Sequence, residues 1–328
     1  MADRDSGAEG LSRLAGEAGA GLGRRLGPGR GDATALTLLT PAHWRDYELV
    51  DSGDGAKLER FGPYLFARPE PQALWRPLLP VGAWEGADAT FRAGGDEESG
   101  RWVYRRPIEQ RWPMAYGDLR FWAQATPFRH LGVFPEQASH WDWTGELIGA
   151  AGGAPRVLNL FGYTGLASLA AAAAGAAVTH VDASKKAIAW ARENQSLSGL
   201  EERPIRWIVD DALKFVRREA RRGARYDGLI LDPPKFGRGP QGEVWKLEES
   251  LGALLADCRA VLAERPLFVV LTAYAIRASA LSLSHLLRET MAGWGGVVTA
   301  GEMTLAERSG GRQLSTAIFA AWSATASA

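Results

Sequence analysis

A doubly wound α/β sheet preceded by a smaller β-rich region is the fold class that this 328-residue chain predicts. Three observations predict it. From Pro155 onward, short apolar runs alternate with helical stretches, the pattern of a parallel sheet covered by helices. Between Trp44 and Trp143, short alternating segments are separated by turn signals such as Asp51-Ser52-Gly53-Asp54-Gly55, the pattern of a small β-rich unit. Four successive strands of the second region also end in residues that suit a ligand, and open α/β sheets bind ligands at those carboxyl ends.

The expected organisation is a disordered tail over residues 1–38, a β-rich domain over 39–145 and the α/β domain over 146–328. The tail is rich in Gly, Ala and Arg with little periodicity, apart from one frayed helix near residues 11–20. In the β-rich part, strands are expected at 47–50, 57–61, 64–67, 89–91, 101–104 and 119–123. Eight of the 13 tryptophans fall between Trp44 and Trp143. They are either a stacking platform for bases or the filling of a small aromatic core, and the packing reading is preferred because no RNA-binding aromatic motif accompanies them.

In the α/β part, strands are expected at 156–161, 177–181, 205–209, 226–231, 267–272, 296–300 and 315–322. Helices are expected at 166–174, 184–197, from 212 to about 222, 244–263 and 279–291. Ser184 has the side chain and position of a helix N-cap.

Composition excludes several classes. The chain is 46% apolar and 23% charged, with a formal net charge of +0. Net charge therefore announces neither nucleic acid nor membrane. The single cysteine, Cys258, excludes an internal disulfide and a cysteine-rich metal site. The longest apolar run, 166–178, is too short to span a bilayer. The first 30 residues lack an apolar signal core, and a cytoplasmic location is expected. The five histidines show no metal-ligand spacing, and no metal is expected.

The strand ends carry the chemistry. Gly162 and Gly165 let backbone N–H groups approach a ligand above a helix N-terminus. Asp182, about 20 residues on, can hold two ribose hydroxyls. Asp210 or Asp211 can accept from an adenine amino group. In Asp232-Pro233-Pro234-Lys235-Phe236, the prolines stop the strand and free carbonyls toward a ligand. Asp232 can accept from an amino group, and Phe236 can lie against a ring. An acid after a strand is often only a helix cap, and it is the ordered set of four that points to a site. A dinucleotide would need a third glycine in the first turn, where Leu166, Ala167 and Ser168 stand. S-adenosylmethionine needs no pyrophosphate cradle, so a methyltransferase is preferred over an NAD-dependent oxidoreductase.

The runs Val157-Leu158-Asn159-Leu160-Phe161-Gly162-Tyr163-Thr164-Gly165, Val181-Asp182-Ala183-Ser184, Asp210-Asp211-Ala212 and Asp232-Pro233-Pro234-Lys235-Phe236 resemble the class I S-adenosylmethionine-dependent methyltransferases of the large-subunit ribosomal RNA cytosine-C5/guanine-N7 type. The resemblance covers about residues 130–322. It implies a Rossmann-like fold, S-adenosyl-L-methionine as cofactor and ribosomal RNA as substrate. It places Asn159, Gly162, Thr164 and Gly165 at the methionine part of the cofactor, Asp182 on the ribose and Asp211 near adenine, with Tyr163 also among the cofactor-binding residues. Asp232, Pro233, Pro234 and Phe236 would face cofactor and acceptor. The family's Phe-x-x-Gln segment reads Phe134-Pro135-Glu136-Gln137 here, implying that Phe134 and Gln137 cover the cofactor. The arginines that often follow it are replaced by Ala138 and His140.

C5 methylation of cytosine needs a cysteine thiolate, which in the family follows the fifth strand. Here that position reads Leu271-Thr272-Ala273-Tyr274-Ala275-Ile276. Transfer to a base nitrogen is therefore the preferred reading. The alternatives are C5 transfer, an oxidoreductase, or a non-catalytic RNA-binding module. Lys235 is either a rim lysine or a substrate contact. The basic run Lys214, Arg217, Arg218, Arg221, Arg222 and Arg225 lies on a helix leading away from the strand ends. It reads as a solvated face that complements the helix C-terminus rather than as an RNA site.

Overall fold

A computed structural model of the protein describes residues 35–41, 44–94, 100–274 and 276–324. Almost all of the stretch read as a tail, with its frayed helix, lies outside the described residues. The strands, in chain order, are β1 (Leu36–Leu39), β2 (Tyr47–Gly53), β3 (Ala56–Phe61), β4 (Tyr64–Pro69), β5 (Ala89–Ala93), β6 (Gly100–Tyr104), β7 (Trp112–Tyr116) and β8 (Leu119–Ala123). There follow β9 (Arg156–Leu160), β10 (Ala177–Asp182), β11 (Ile205–Val209), β12 (Gly228–Leu231), β13 (Phe236–Arg238), β14 (Val244–Lys246), β15 (Phe268–Ala273), β16 (Val297–Ala306) and β17 (Gln313–Ser323).

Eight of these form one sheet in the order β1-β16-β17-β15-β12-β9-β10-β11. The strands β9 to β12 and β15 pair in parallel, and β17 runs antiparallel to both neighbours. The chain leaves β9 toward β10 and β11, then returns to the other side of β9 with β12. This reversal is the topological switch point, and the crevice outside the carboxyl ends of β9 and β12 is where such a sheet takes its ligand. Both faces are buried, which is why the central strands read as continuous Val/Leu/Ile runs.

The N-terminal strands form a five-stranded sheet, β2-β3-β4-β5-β6, and the hairpin β7-β8. They share a core with the large sheet's helices, since Phe61, Phe66, Trp112 and Phe121 pack in one cluster with Trp141, Leu166 and Leu169. Trp112 and Trp141 are buried in that cluster, and Trp44, Trp75 and Trp102 pack against it. These tryptophans are core, not a stacking platform.

Three boundaries differ from the sequence reading. The strand β1 straddles the boundary placed at 38 and pairs with β16, so residues 36–38 belong to the large sheet. The helix Ala138–Ala151 crosses the boundary placed at 145; its three aromatic or imidazole side chains, His140, Trp141 and Trp143, obscured its helical period. Residues 244–246 form a hairpin strand against Phe236–Arg238 rather than the start of a helix, and that helix spans Leu247–Val261. Among the described residues, no helix is long and apolar enough to cross a membrane.

Candidate functional site

A cleft of about 1350 Å³ opens at the switch point. One wall is made by the strand ends. After β9 the turn holds Phe161 and Tyr163 in the left-handed region, at φ 59° and 50°, with Gly162 between them. Such backbone is costly for bulky residues, and where it occurs it tends to serve a site. Here Phe161 and Tyr163 line the cleft. Gly162 faces the other way, for a Cβ there would lie 2.3 Å from the buried His180 ring. Gly165 has φ +86° at the N-cap of helix Leu166–Ala173, and its Cβ would meet Ala191 at 2.7 Å.

Four of the sequence-predicted cofactor residues therefore stand behind the wall rather than on it. Asn159 is buried and donates to Ser168 Oγ at 2.9 Å, and Ser168 contacts His180 Nδ1 at 2.9 Å. Thr164 Oγ1 donates to the Gly132 carbonyl at 2.7 Å. Gly162 and Gly165 are fixed by close packing. The side chains of Asn159 and Thr164 are thus engaged within the protein, and the two glycines shape the turn.

The acids are where the strand-end rule puts them. Asp182 ends β10 and lines the cleft. Its Oδ2 accepts from Tyr163 N at 2.9 Å and its Oδ1 from Ser184 N at 2.8 Å. Burial without a compensating cation holds its pKa above the ordinary value despite those bonds. Asp211 caps helix Ala212–Arg221, accepting from Lys214 N at 2.9 Å. Asp210 is tied to Arg218 at 2.6 Å. Both also line the cleft.

Asp232, just past β12, lines the cleft as well. Gln137 Nε2 donates to its Oδ2 at 3.0 Å. Burial, then the neighbouring Glu136 charge, pushes its pKa up to about 7. Glu136 is itself buried, and desolvation raises its pKa as well. Pro233, Pro234, Lys235, Phe236 and Phe134 complete this part of the cleft. Two of the carbonyls expected to be free are occupied: Pro234 O accepts from Trp245 Nε1 at 2.6 Å and Lys235 O from Leu247 N at 3.0 Å. These bonds hold the motif rigid. Among the described residues, no donor reaches the carbonyls of Asp232 and Pro233.

The rest of the cleft lining was not legible. It comes from Gln124 and residues 126–130 after β8, with Arg111, Trp190 and Tyr274. Tyr274 follows β15, and its place just past a strand end is the signal that marks it. Nothing in the sequence marks residues 126–130. The basic run on helix Ala212–Arg221 is largely neutralised: Lys214 pairs with Glu243, Arg217 with Asp257, Arg218 with Asp210 and Arg222 with Glu219. Cys258 is buried in helix Leu247–Val261 within the core, and burial pushes its thiol pKa far up.

Comparison with known proteins places these features in context. Residues 89–272, just over half of the chain, match the family model described as S-adenosylmethionine-dependent methyltransferase. The crystal structure of an S-adenosylmethionine-dependent methyltransferase from Agrobacterium tumefaciens is 50% identical, with TM-score 0.84, covering 91% of this chain and 98% of that one. The crystal structure of SMU.776 in complex with S-adenosylhomocysteine shares the fold at 16% identity and TM-score 0.67, covering 84% of this chain and 75% of that one. Among curated proteins, "Ribosomal RNA large subunit methyltransferase K/L" of Shewanella sp. strain ANA-3 is 41% identical over 130 residues, 39% of this chain. The match spans only 18% of that relative's length.

Proposed function

The chain belongs to the S-adenosylmethionine-dependent methyltransferase family, and from that premise we propose that it methylates a nitrogen of an RNA base held against Asp232-Pro233-Pro234-Lys235-Phe236. S-adenosylmethionine is the cofactor, and when bound it supplies an electrophilic methyl group. The donor set fits it. Each Asp182 oxygen already holds one backbone N–H and keeps lone-pair capacity for a ribose hydroxyl. Asp211 spends one oxygen on its helix cap and can offer the other to an adenine amino group. Phe134, Phe161 and Tyr163 supply apolar surface for the adenosyl ring, with Phe134 and Tyr163 centroids 5.8 Å apart.

The observation that carries the acceptor is Asp232. Gln137 fixes one of its oxygens, and the other is left for an N–H on the acceptor. A proton acceptor with a pKa near 7 is matched to neutral pH, so Asp232 both orients the amine and takes its proton. The nitrogen owns its lone pair and needs only positioning and electrostatics. C5 transfer would need a thiolate, and the single cysteine is locked in the core.

RNA as the acceptor is supported by the printed name of the Shewanella relative and by the cleft mouth. Phe236 is exposed there, beside Lys186, Lys235 and Arg238. Among the described residues these cations form no ion pair, and aromatic rings beside such cations are the chemistry of nucleic-acid binding. Ribosomal RNA in the cytoplasm goes with that reading. Incubation with methyl-tritiated cofactor, total RNA and total protein tests it. Label is expected in RNA, and label confined to protein contradicts it.

A further inference from the structure

Two large apolar side chains line the cleft and yet lie open to solvent: Phe128, 58% exposed, and Phe236, 60% exposed. They come from distant parts of the chain, the loop after β8 and the start of β13. We propose that these two rings form a clamp that stacks on both faces of the acceptor base, with Arg129 latching the loop that carries Phe128. This deepens the RNA reading above and rests on it.

An exposed ring held in a mobile loop would be an ordinary surface residue. Phe128 is not held that way. Within its own loop, Thr126 Oγ1 donates to the Phe128 carbonyl at 3.1 Å and to the His130 carbonyl at 2.8 Å. Trp102 Nε1 donates to the Thr126 carbonyl at 2.7 Å. On the other side of Phe128, the buried Arg68 donates to the Arg129 carbonyl at 2.8 Å. Arg129 itself is buried; its Nη2 donates to Tyr274 Oη at 2.6 Å and its guanidinium lies 5.5 Å from that ring's centroid. The loop is thus bonded to the N-terminal sheet on one side and to the end of β15 on the other. The ring is exposed while its backbone is fixed.

Phe236 has the same character. The carbonyls of Pro234 and Lys235 are held by Trp245 and Leu247, and the Lys235 ammonium lies 5.7 Å from the Phe236 centroid. A rigid exposed aromatic gains a contact at low entropic cost. Stacking accepts any base face, so the clamp holds the base flat while Asp232 reads its N–H edge. Water would otherwise surround both rings, and covering them with a base removes that apolar exposure.

The test uses the full chain with tritiated cofactor and total RNA. Phe128→Ala is expected to lower kcat/KM for RNA by about 5- to 150-fold, the range for loss of one stacking partner. Phe128→Trp keeps it within about threefold by the same stacking argument. Affinity for S-adenosylhomocysteine, read by calorimetry, and melting temperature stay at parental values in both variants. Phe128→Ala/Phe236→Ala loses less than the product of the single losses, because either substitution alone opens the clamp. Tyr274→Phe, which releases the latch, reproduces part of the Phe128→Ala loss. RNA methylation unaffected by Phe128→Ala overturns the clamp alone. Independent, multiplying losses, or a Phe128→Trp variant as poor as Phe128→Ala, overturn it too. A parent protein that labels protein or nothing overturns the RNA reading and the clamp together.

Discussion

On the strand-end wall of the cleft, ligand-facing groups are set by the backbone; on the wall built from the 126–130 loop they are set by side-chain bonds between segments far apart in sequence. Phe161, Tyr163 and Asp182 take their places from a turn with two left-handed residues and from two backbone N–H bonds to one carboxylate. Phe128 and Arg129 take theirs from Trp102, Arg68 and Tyr274. The first kind of wall is written in contiguous motifs, because a turn is a local object. The second exists only after the chain has folded.

Substitutions that separate the two walls sharpen this contrast. The largest effect is expected at their junction. Asp232→Asn should lower kcat about 100- to 10,000-fold, the usual scale for a positioned proton acceptor, with cofactor affinity nearly unchanged. In the parent, kcat should rise with pH through about 7, and the variant should lose that step. Stability should move the opposite way. A carboxyl whose pKa rises from 3.8 to about 7 on folding favours the folded state below its unfolded value and loses that contribution as pH rises through 7. Asp232→Asn is therefore expected to melt higher than the parent at pH 8 and at the same temperature at pH 4. Thermal unfolding across that range measures it.

On the strand-end wall alone, Asp182→Ala should weaken cofactor binding about 10- to 100-fold, the loss of hydrogen bonds to a charged group. Calorimetric titration reads this, and RNA affinity should not follow. Gly162→Ala tests the claim that this glycine is a packing device. Its Cβ would enter the His180 ring, so a cost of about 1–3 kcal/mol in denaturant unfolding is expected. The smallest effect belongs to the basic run. Arg217→Glu/Arg221→Glu should leave kcat/KM for RNA within about twofold, because exposed charges away from the site contribute little. A large drop would move the RNA path onto that helix.

The fold was legible because its signals are local. Continuous apolar runs gave the parallel strands, and Ser184 caps its helix as its side chain predicts, accepting from Ala187 N at 3.2 Å. The carboxylates at Asp182, Asp211 and Asp232 were legible because a strand end fixes where such a group points. Asn159, Gly162, Thr164 and Gly165 were legible as a turn motif, but a motif does not tell which side of a turn faces the ligand. His180 decides that for Gly162, and it belongs to another strand. The helix Ala138–Ala151 was hidden by its His140, Trp141 and Trp143 side chains, and the 126–130 loop carries no motif. Glu136, whose charge helps raise the Asp232 pKa, matters only because folding brings it beside that carboxylate.

The central claim is that Asp232 presents a base nitrogen to the cofactor's methyl group. Nucleoside mass analysis of RNA methylated by the parent and by Asp232→Asn tests it most directly. An N-methylated nucleoside that is formed by the parent and lost in the variant is the predicted result. A 5-methylcytidine product, or an N-methylated product formed equally well without the Asp232 carboxylate, would contradict it.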